Sequence, residues 1–162
     1  MGKGGVILGL LGLLIGVGGL GFGIINFMNQ PTQYYVYRNT EFYPNPVSVH
    51  IPIPTLSIVF ETSGPEAIHL LFTCSARCFA DISSFSDLFF YFMINDVRQI
   101  DMPWARTGSH QGASDSDYTT VALQHYFTLT TPGRYNITVT ILTERAGNFI
   151  RQSSLWINSY PV

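Results

Sequence analysis

Charge is what this sequence has least of. Asp, Glu, Lys and Arg make up 11% of its 162 residues, against about 25% in ordinary soluble domains. Lysine occurs once, as Lys3. Without a basic cluster there is no electrostatic footprint for nucleic acid. Cysteine occurs twice, too seldom for a disulfide scaffold. Catalytic signatures are also missing. There is no Gly-x-Ser-x-Gly turn to expose a nucleophile, and no phosphate-cradling glycine loop outside an apolar run. No spacing of His and Cys matches a standard zinc site. These absences argue against an enzyme, a resident metal and a cofactor.

Polar side chains are missing altogether from one stretch. Gly4 to Ile25 is 22 residues without a charge or a polar side chain. As a helix it measures about 33 Å, enough to cross a bilayer core of about 30 Å. The sequence therefore predicts a transmembrane α-helix within residues 1–28. Lys3 precedes it, and all ten acidic residues and seven arginines follow it. The positive-inside rule then puts the N-terminus inside, at the cell membrane, with the bulk of the chain extracellular. Two other readings compete with a retained span. Gly19-Leu20-Gly21 loosely matches a signal-peptide cleavage site, and Lys3-Gly4 resembles the site cut in archaeal prepilins.

Glycines inside this stretch are ordered. Gly5, Gly9, Gly12, Gly16, Gly19 and Gly23 follow spacings of four and three, so they lie on one helix stripe. Helices in lipid associate through close backbone approach, which small residues at this spacing permit. Self-association of parallel copies into a homo-oligomer is expected.

Residues 29–46 read as an aromatic and proline linker. Tyr34, Tyr35 and Tyr37 would sit at the outer membrane interface, or Gln33–Arg38 would form a short strand in its own domain or on a neighbour's sheet edge. Residues 47–162 read as an extracellular β domain rich in Phe, Tyr, Ser and Thr. Val47–Ile53 and Thr55–Glu61 alternate as two strands, the first demoted to an edge by Pro52 and Pro54. Ile68, Leu70, Phe72 and Cys74 share the face of a third. Leu88–Ile94 is apolar on both faces, so Phe89, Tyr91 and Met93 need a cover. A partner, another subunit, the linker or a loop would supply it. Asn95-Asp96 reads as a hairpin turn.

The run Phe127-x-Leu129-x-x-Pro132-Gly133-x-Tyr135-x-Ile137-x-Val139-x-Ile141, followed by Gly147-Asn148 and a closing strand, carries a resemblance. It resembles the last three strands of immunoglobulin-like and PKD-like extracellular sandwiches. There a tyrosine after Pro-Gly forms a tyrosine corner, a role that falls to Tyr135. It is also similar to the Pro-Gly-x-Tyr strand of C1q/TNF-like jelly rolls, which are trimeric and sometimes membrane-anchored. The Cys…Trp…Cys spacing of antibody-type domains is lacking. The resemblance implies an all-β sandwich, immunoglobulin-like or jelly roll. The whole layout resembles small archaeal surface proteins with a glycine-rich single span, including filament accessory proteins.

Individual residues raise further candidates. Cys74 and Cys78 form a local disulfide only if Ser75-Ala76-Arg77 turns, since an extended strand holds their Cα atoms ~13 Å apart. His69 lies near them in sequence. His110, Asp115 and Asp117 share a loop, and His125 interrupts an apolar strand face. Asn136-Ile137-Thr138 is a glycosylation sequon facing outward. The function expected from these features is a non-enzymatic, membrane-anchored structural or binding module of the cell surface. Its partners would be the membrane, further copies of itself, and other surface proteins or glycans. A subunit or accessory protein of an extracellular filament is the alternative.

Overall fold

The computed structural model describes residues 30–79, 85–98, 101–109 and 118–162. The expected membrane helix and its glycine stripe, Gly5 to Gly23, lie outside these residues. So do His110, Asp115 and Asp117. Among the described residues there is no helix, and hence none long and apolar enough to cross a membrane.

Thr32–Val162 form one compact unit. Its strands are β1 (Thr32–Arg38), β2 (Ile51–Thr62), β3 (Glu66–Arg77), β4 (Ser86–Ile94), β5 (Val97–Arg98), β6 (Trp104–Ser109), β7 (Thr119–Leu129), β8 (Gly133–Thr143) and β9 (Phe149–Pro161). One sheet has the order β1-β9-β3-β7, the other β2-β8-β4 with β5 and β6 beyond β4. β5 pairs with Met93 and Ile94, and β6 with Ser86 to Tyr91. The two are thus one interrupted strand returning along β4. All neighbours are antiparallel.

With β5 and β6 counted together, only they and β4 are consecutive strands sharing a sheet. Every other connection crosses between layers. An immunoglobulin sandwich instead keeps A beside B and E beside D in one sheet, and F beside G in the other. The order here is that of a jelly roll. Of the two sandwich types the sequence allows, strand order selects this one.

Alternation along each strand builds the core. Ile68, Leu70, Phe72 and Cys74 of β3 face Leu88, Phe90 and Phe92 of β4 across the layers, all buried. Phe72 and Phe90 meet with ring centroids 5.4 Å apart. Burial of such side chains is the main stabilising term.

Two expectations change. The two strands read between Val47 and Glu61 are one, β2, and residues 47–50 precede it. The register shifts between Pro52 and Ser57, and Thr55 has φ 68°. This bulge lets Ile53 and Leu56, three apart, both point inward. The two prolines do lie on a sheet edge, where a missing N–H is tolerated. Secondly, of the readings open for residues 29–46, the strand in its own domain is the one that forms, as β1. It pairs along its length with Ser159–Ser153 of β9, so the domain starts near Thr32 rather than at residue 47. Tyr34 and Val36 pack on the core while Tyr35 and Tyr37 face out, an alternation hidden by the aromatic run. Asn95 and Asp96 both have positive φ, 50° and 62°, the two-residue turn that matches strand twist.

Candidate functional site, the outer faces of the two sheets

The first face is the outside of β4. Leu88, Phe90 and Phe92 are buried inward, which leaves Phe89, Tyr91 and Met93 outward and half-buried. The chain supplies part of the cover. Trp104 lies opposite Tyr91 on β6, its ring 5.8 Å from Phe89. The Arg98 guanidinium sits 4.1 Å from the centre of the Tyr91 ring, and Arg106 lies 5.5 Å over Phe89. His50 meets the edge of Tyr91 at 4.8 Å. Burial first, then the Arg98 charge, lowers the His50 pKa. Trp104 itself remains 53% exposed. The strip is therefore apolar rings under cationic arms, a composition enriched at protein interfaces.

Further along the same face, Asn136 of β8 sits between β2 and β4. Its Oδ1 accepts from Ser57 Oγ at 2.5 Å, and its N–H donates to Asn95 Oδ1 at 2.8 Å. The sequon side chain faces out, as alternation requires, but it is half-buried and already bonded.

The second face is the outside of β1-β9-β3-β7, and sequence reading missed it. Register aligns Gln33, Asn158, His69 and Tyr126 in one row across the four strands. The next row is Tyr35, Trp156, Leu71 and Gln124. Tyr160, Ala67 and Thr128 form a third. No formal charge lies in these rows, counting histidine as neutral. Tyr126 is 66% exposed and stacks on His69, with centroids 4.0 Å apart and planes 2° from parallel. Tyr35 and Trp156 meet at 4.2 Å. An open groove of about 220 Å³ runs beside Ala67 between Tyr126 and Tyr160. The only signal in the sequence was the alternate placing of aromatics in β1, β7 and β9. It gains meaning only once register brings them together.

One end of the sandwich holds a buried polar cluster. Asn148 Oδ1 accepts from the Phe79 N–H at 2.9 Å and Ser86 Oγ at 2.8 Å, and its Nδ2 donates to Asp87 O and Thr143 Oγ1. Asp87, buried, pairs with Arg106 at 2.5 Å. That hydrogen bond raises the Arg106 pKa. Gly108 lies opposite Asp87 in register, and a Cβ there would collide with the carboxylate. These contacts hold the starts of β4 and β9 and the end of β8, and their polar atoms are occupied by structure.

The candidate disulfide does not form. Cys74 and Cys78 are both free and buried. Cys74 lies within extended β3 and Cys78 just beyond its end, so no turn closes the gap. Burial raises the Cys74 pKa, with a smaller push from Cys78. Burial, then Asp87, pushes Cys78 up to about 12. These thiols are unreactive core residues. Among the described residues no three His, Cys, Asp or Glu groups converge for a metal. His69 faces outward, away from both thiols. His125 points inward and stacks on Phe127 at 5.6 Å, and burial lowers its pKa. The Tyr135 hydroxyl donates to Thr131 O at 2.7 Å, across the Pro-Gly corner.

No family model and no curated protein sequence matches this chain. Among solved structures it is similar to the infectious bursal disease virus VP2 subviral particle. Identity there is 14% and TM-score 0.47, over 80% of this chain and 33% of that one. It is also similar to the structure of the infectious bursal disease virus Gx strain, at 12% and 0.48, over 82% and 33%. Dimeric latent PorU from Porphyromonas gingivalis gives 7% and 0.44, over 80% and 13%. The chain thus spans about a third of each viral chain it resembles.

Proposed function

We propose that this chain is a membrane-anchored cell-surface binding module with a jelly-roll domain, and not an enzyme. Gly4–Ile25 is the span, and the domain beginning at Thr32 stands outside. Copies associate through the glycine stripe and through the outer face of β4. The observation that carries this reading is the composition of that face. Phe89, Tyr91, Met93 and Trp104 lie together with Arg98 and Arg106, and aromatic residues, Met and Arg are the types enriched where proteins meet. Such a strip on a sheet already closed by its own core favours contact with another macromolecule over further folding.

The full chain, extracted from its own membrane in mild detergent, should show full-length mass and run as a small closed oligomer. Protease added to intact cells should remove the domain. A chain that leaves the membrane fraction without detergent, or a domain protected in intact cells, would sink the proposal.

A further inference from the structure

We infer that the outer face of the β1-β9-β3-β7 sheet binds neutral carbohydrate, with one sugar ring seated in the groove between Tyr126 and Tyr160. Access to an extended glycan requires the domain to stand outside the cell, and in that respect the inference rests on the reading above.

Four features converge. The groove exists because Ala67 is small and lies between larger neighbours, with Tyr126 and Tyr160 as its walls. One aromatic wall, Tyr126, lies flat on His69 while keeping 66% of its surface exposed, so its outer ring face is open to a ligand. The apolar C–H face of a sugar packs on such a ring, whose face is electron-rich.

Charge decides the ligand class. The three rows around the groove and the second ring pair carry none. Arg77 and Arg151 of this sheet lie over Tyr118 at its other end, and the opposite sheet sets Arg98 and Arg106 over its own rings. A phosphorylated, sulfated or acidic ligand would find no countercharge here. Hydrogen bonding then separates a sugar from an apolar protein face. His69 Nε2 and Asn158 Oδ1, neighbours in register, are buried without a partner. A second sheet packed on this face would leave them so, at a cost. Sugar hydroxyls both donate and accept, so once the exposed Tyr126 ring shifts, one satisfies both Oδ1 and a protonated Nε2, and two neighbouring hydroxyls satisfy Oδ1 and the other tautomer of the histidine.

The face also has length. Tyr35 and Trp156 form a second ring pair on β1 and β9. Strands lie about 4.8 Å apart, so β1 and β7 are about 14 Å from one another across the sheet. That suits an oligosaccharide better than a single sugar.

The test is calorimetric titration of the full chain in a polyoxyethylene detergent, which has no sugar headgroup. The probes are hexasaccharides of β-1,4-linked glucose, β-1,4-linked N-acetylglucosamine and α-linked mannose. At least one should bind saturably. Tyr126→Ala and Trp156→Ala should each weaken it about tenfold or more. Tyr126→Phe, which keeps the stack, should retain binding, and so should Val59→Ala on the opposite sheet. A thermal melt of each variant identifies any loss due to unfolding. No heat with any of the three at millimolar concentration would overturn the inference. So would affinity unchanged by Tyr126→Ala, or an oligomer that Trp156→Ala alone dissolves, which would mean a second copy covers this face. Failed sugar binding by a chain that is surface-exposed and oligomeric removes this inference only. A protected or soluble domain removes the earlier reading and leaves the titration to stand on its own.

Discussion

Asn148 shows how much one polar side chain can organise. An amide has two acceptor lone pairs and two donor hydrogens, and all four are used inside the protein. The residue is fully buried. Asn148→Ala would strand the Phe79 N–H and the Ser86 hydroxyl without water to replace the amide, while the Asp87 carbonyl keeps the Glu144 N–H. A loss of about 3 kcal/mol is expected, read from denaturant midpoints. Asn148→Asp keeps the shape but loses both donors and places a charge near Asp87. It should be as harmful at neutral pH and recover in part on acidification. Sequence reading marked Gly147-Asn148 only as the step into the closing strand. Which turn residue is a surface punctuator and which a buried hub depends on distant partners, here 61 to 69 residues away for three of the four bonds.

His125 carries the pH prediction. Burial lowers its pKa from 6.5, so the unfolded chain binds its proton more readily than the folded one. Stability from this site is therefore complete above about pH 6.5 and is lost as pH falls through the folded-state value. Thermal midpoints measured from pH 7 to pH 5 should fall for the wild type. They should fall less for His125→Leu, and the difference between the two slopes isolates this residue from the carboxylates. Equal slopes would mean that His125 does not titrate in this window.

At the scale of the element, strands whose alternation is unbroken were legible and those with a bulge were not. β3, β4 and β8 sit where period-two patterning puts them, with Tyr135 bonded back across its corner. β2 was divided in two because Thr55 reverses the phase between Ile53 and Leu56. β1 was legible only as an alternative, a short strand over Gln33–Arg38 inside the linker, because three tyrosines in four residues hide which ring goes inward. The double-sided apolar pattern of β4 did signal that its outer side needs a cover. Its cover came partly from Arg98, Arg106 and Trp104, which follow it in sequence but reach it only through the hairpin at Asn95-Asp96. The aromatic face of the other sheet was invisible for the same reason. Tyr126, His69 and Asn158 come from three strands, and only the 3-to-7 and 3-to-9 pairings make them neighbours.

For the whole molecule, the proposal places two self-association surfaces in different parts of the chain. The glycine stripe would act in lipid, where close backbone approach matters. The β4 face would act in water, where removing ring surface from solvent matters. Surfaces that share no residues should contribute independently. Replacing Gly9, Gly12 and Gly16 together by Leu should weaken association in membranes while leaving insertion intact. Phe89→Arg with Met93→Lys should weaken it by a separate increment, and a thermal melt of the domain separates that increment from the stability lost with the Phe89 contacts to Trp104 and Arg106. Energy transfer between labelled copies in vesicles, measured against dilution in lipid, reads both effects on one scale. If the combined variant loses the sum of the two free energies, the helix and the sheet act as separate contacts. If either set alone abolishes association, one surface carries it and the other has a different role. If neither set changes it, the homo-oligomer fails as a reading of both features.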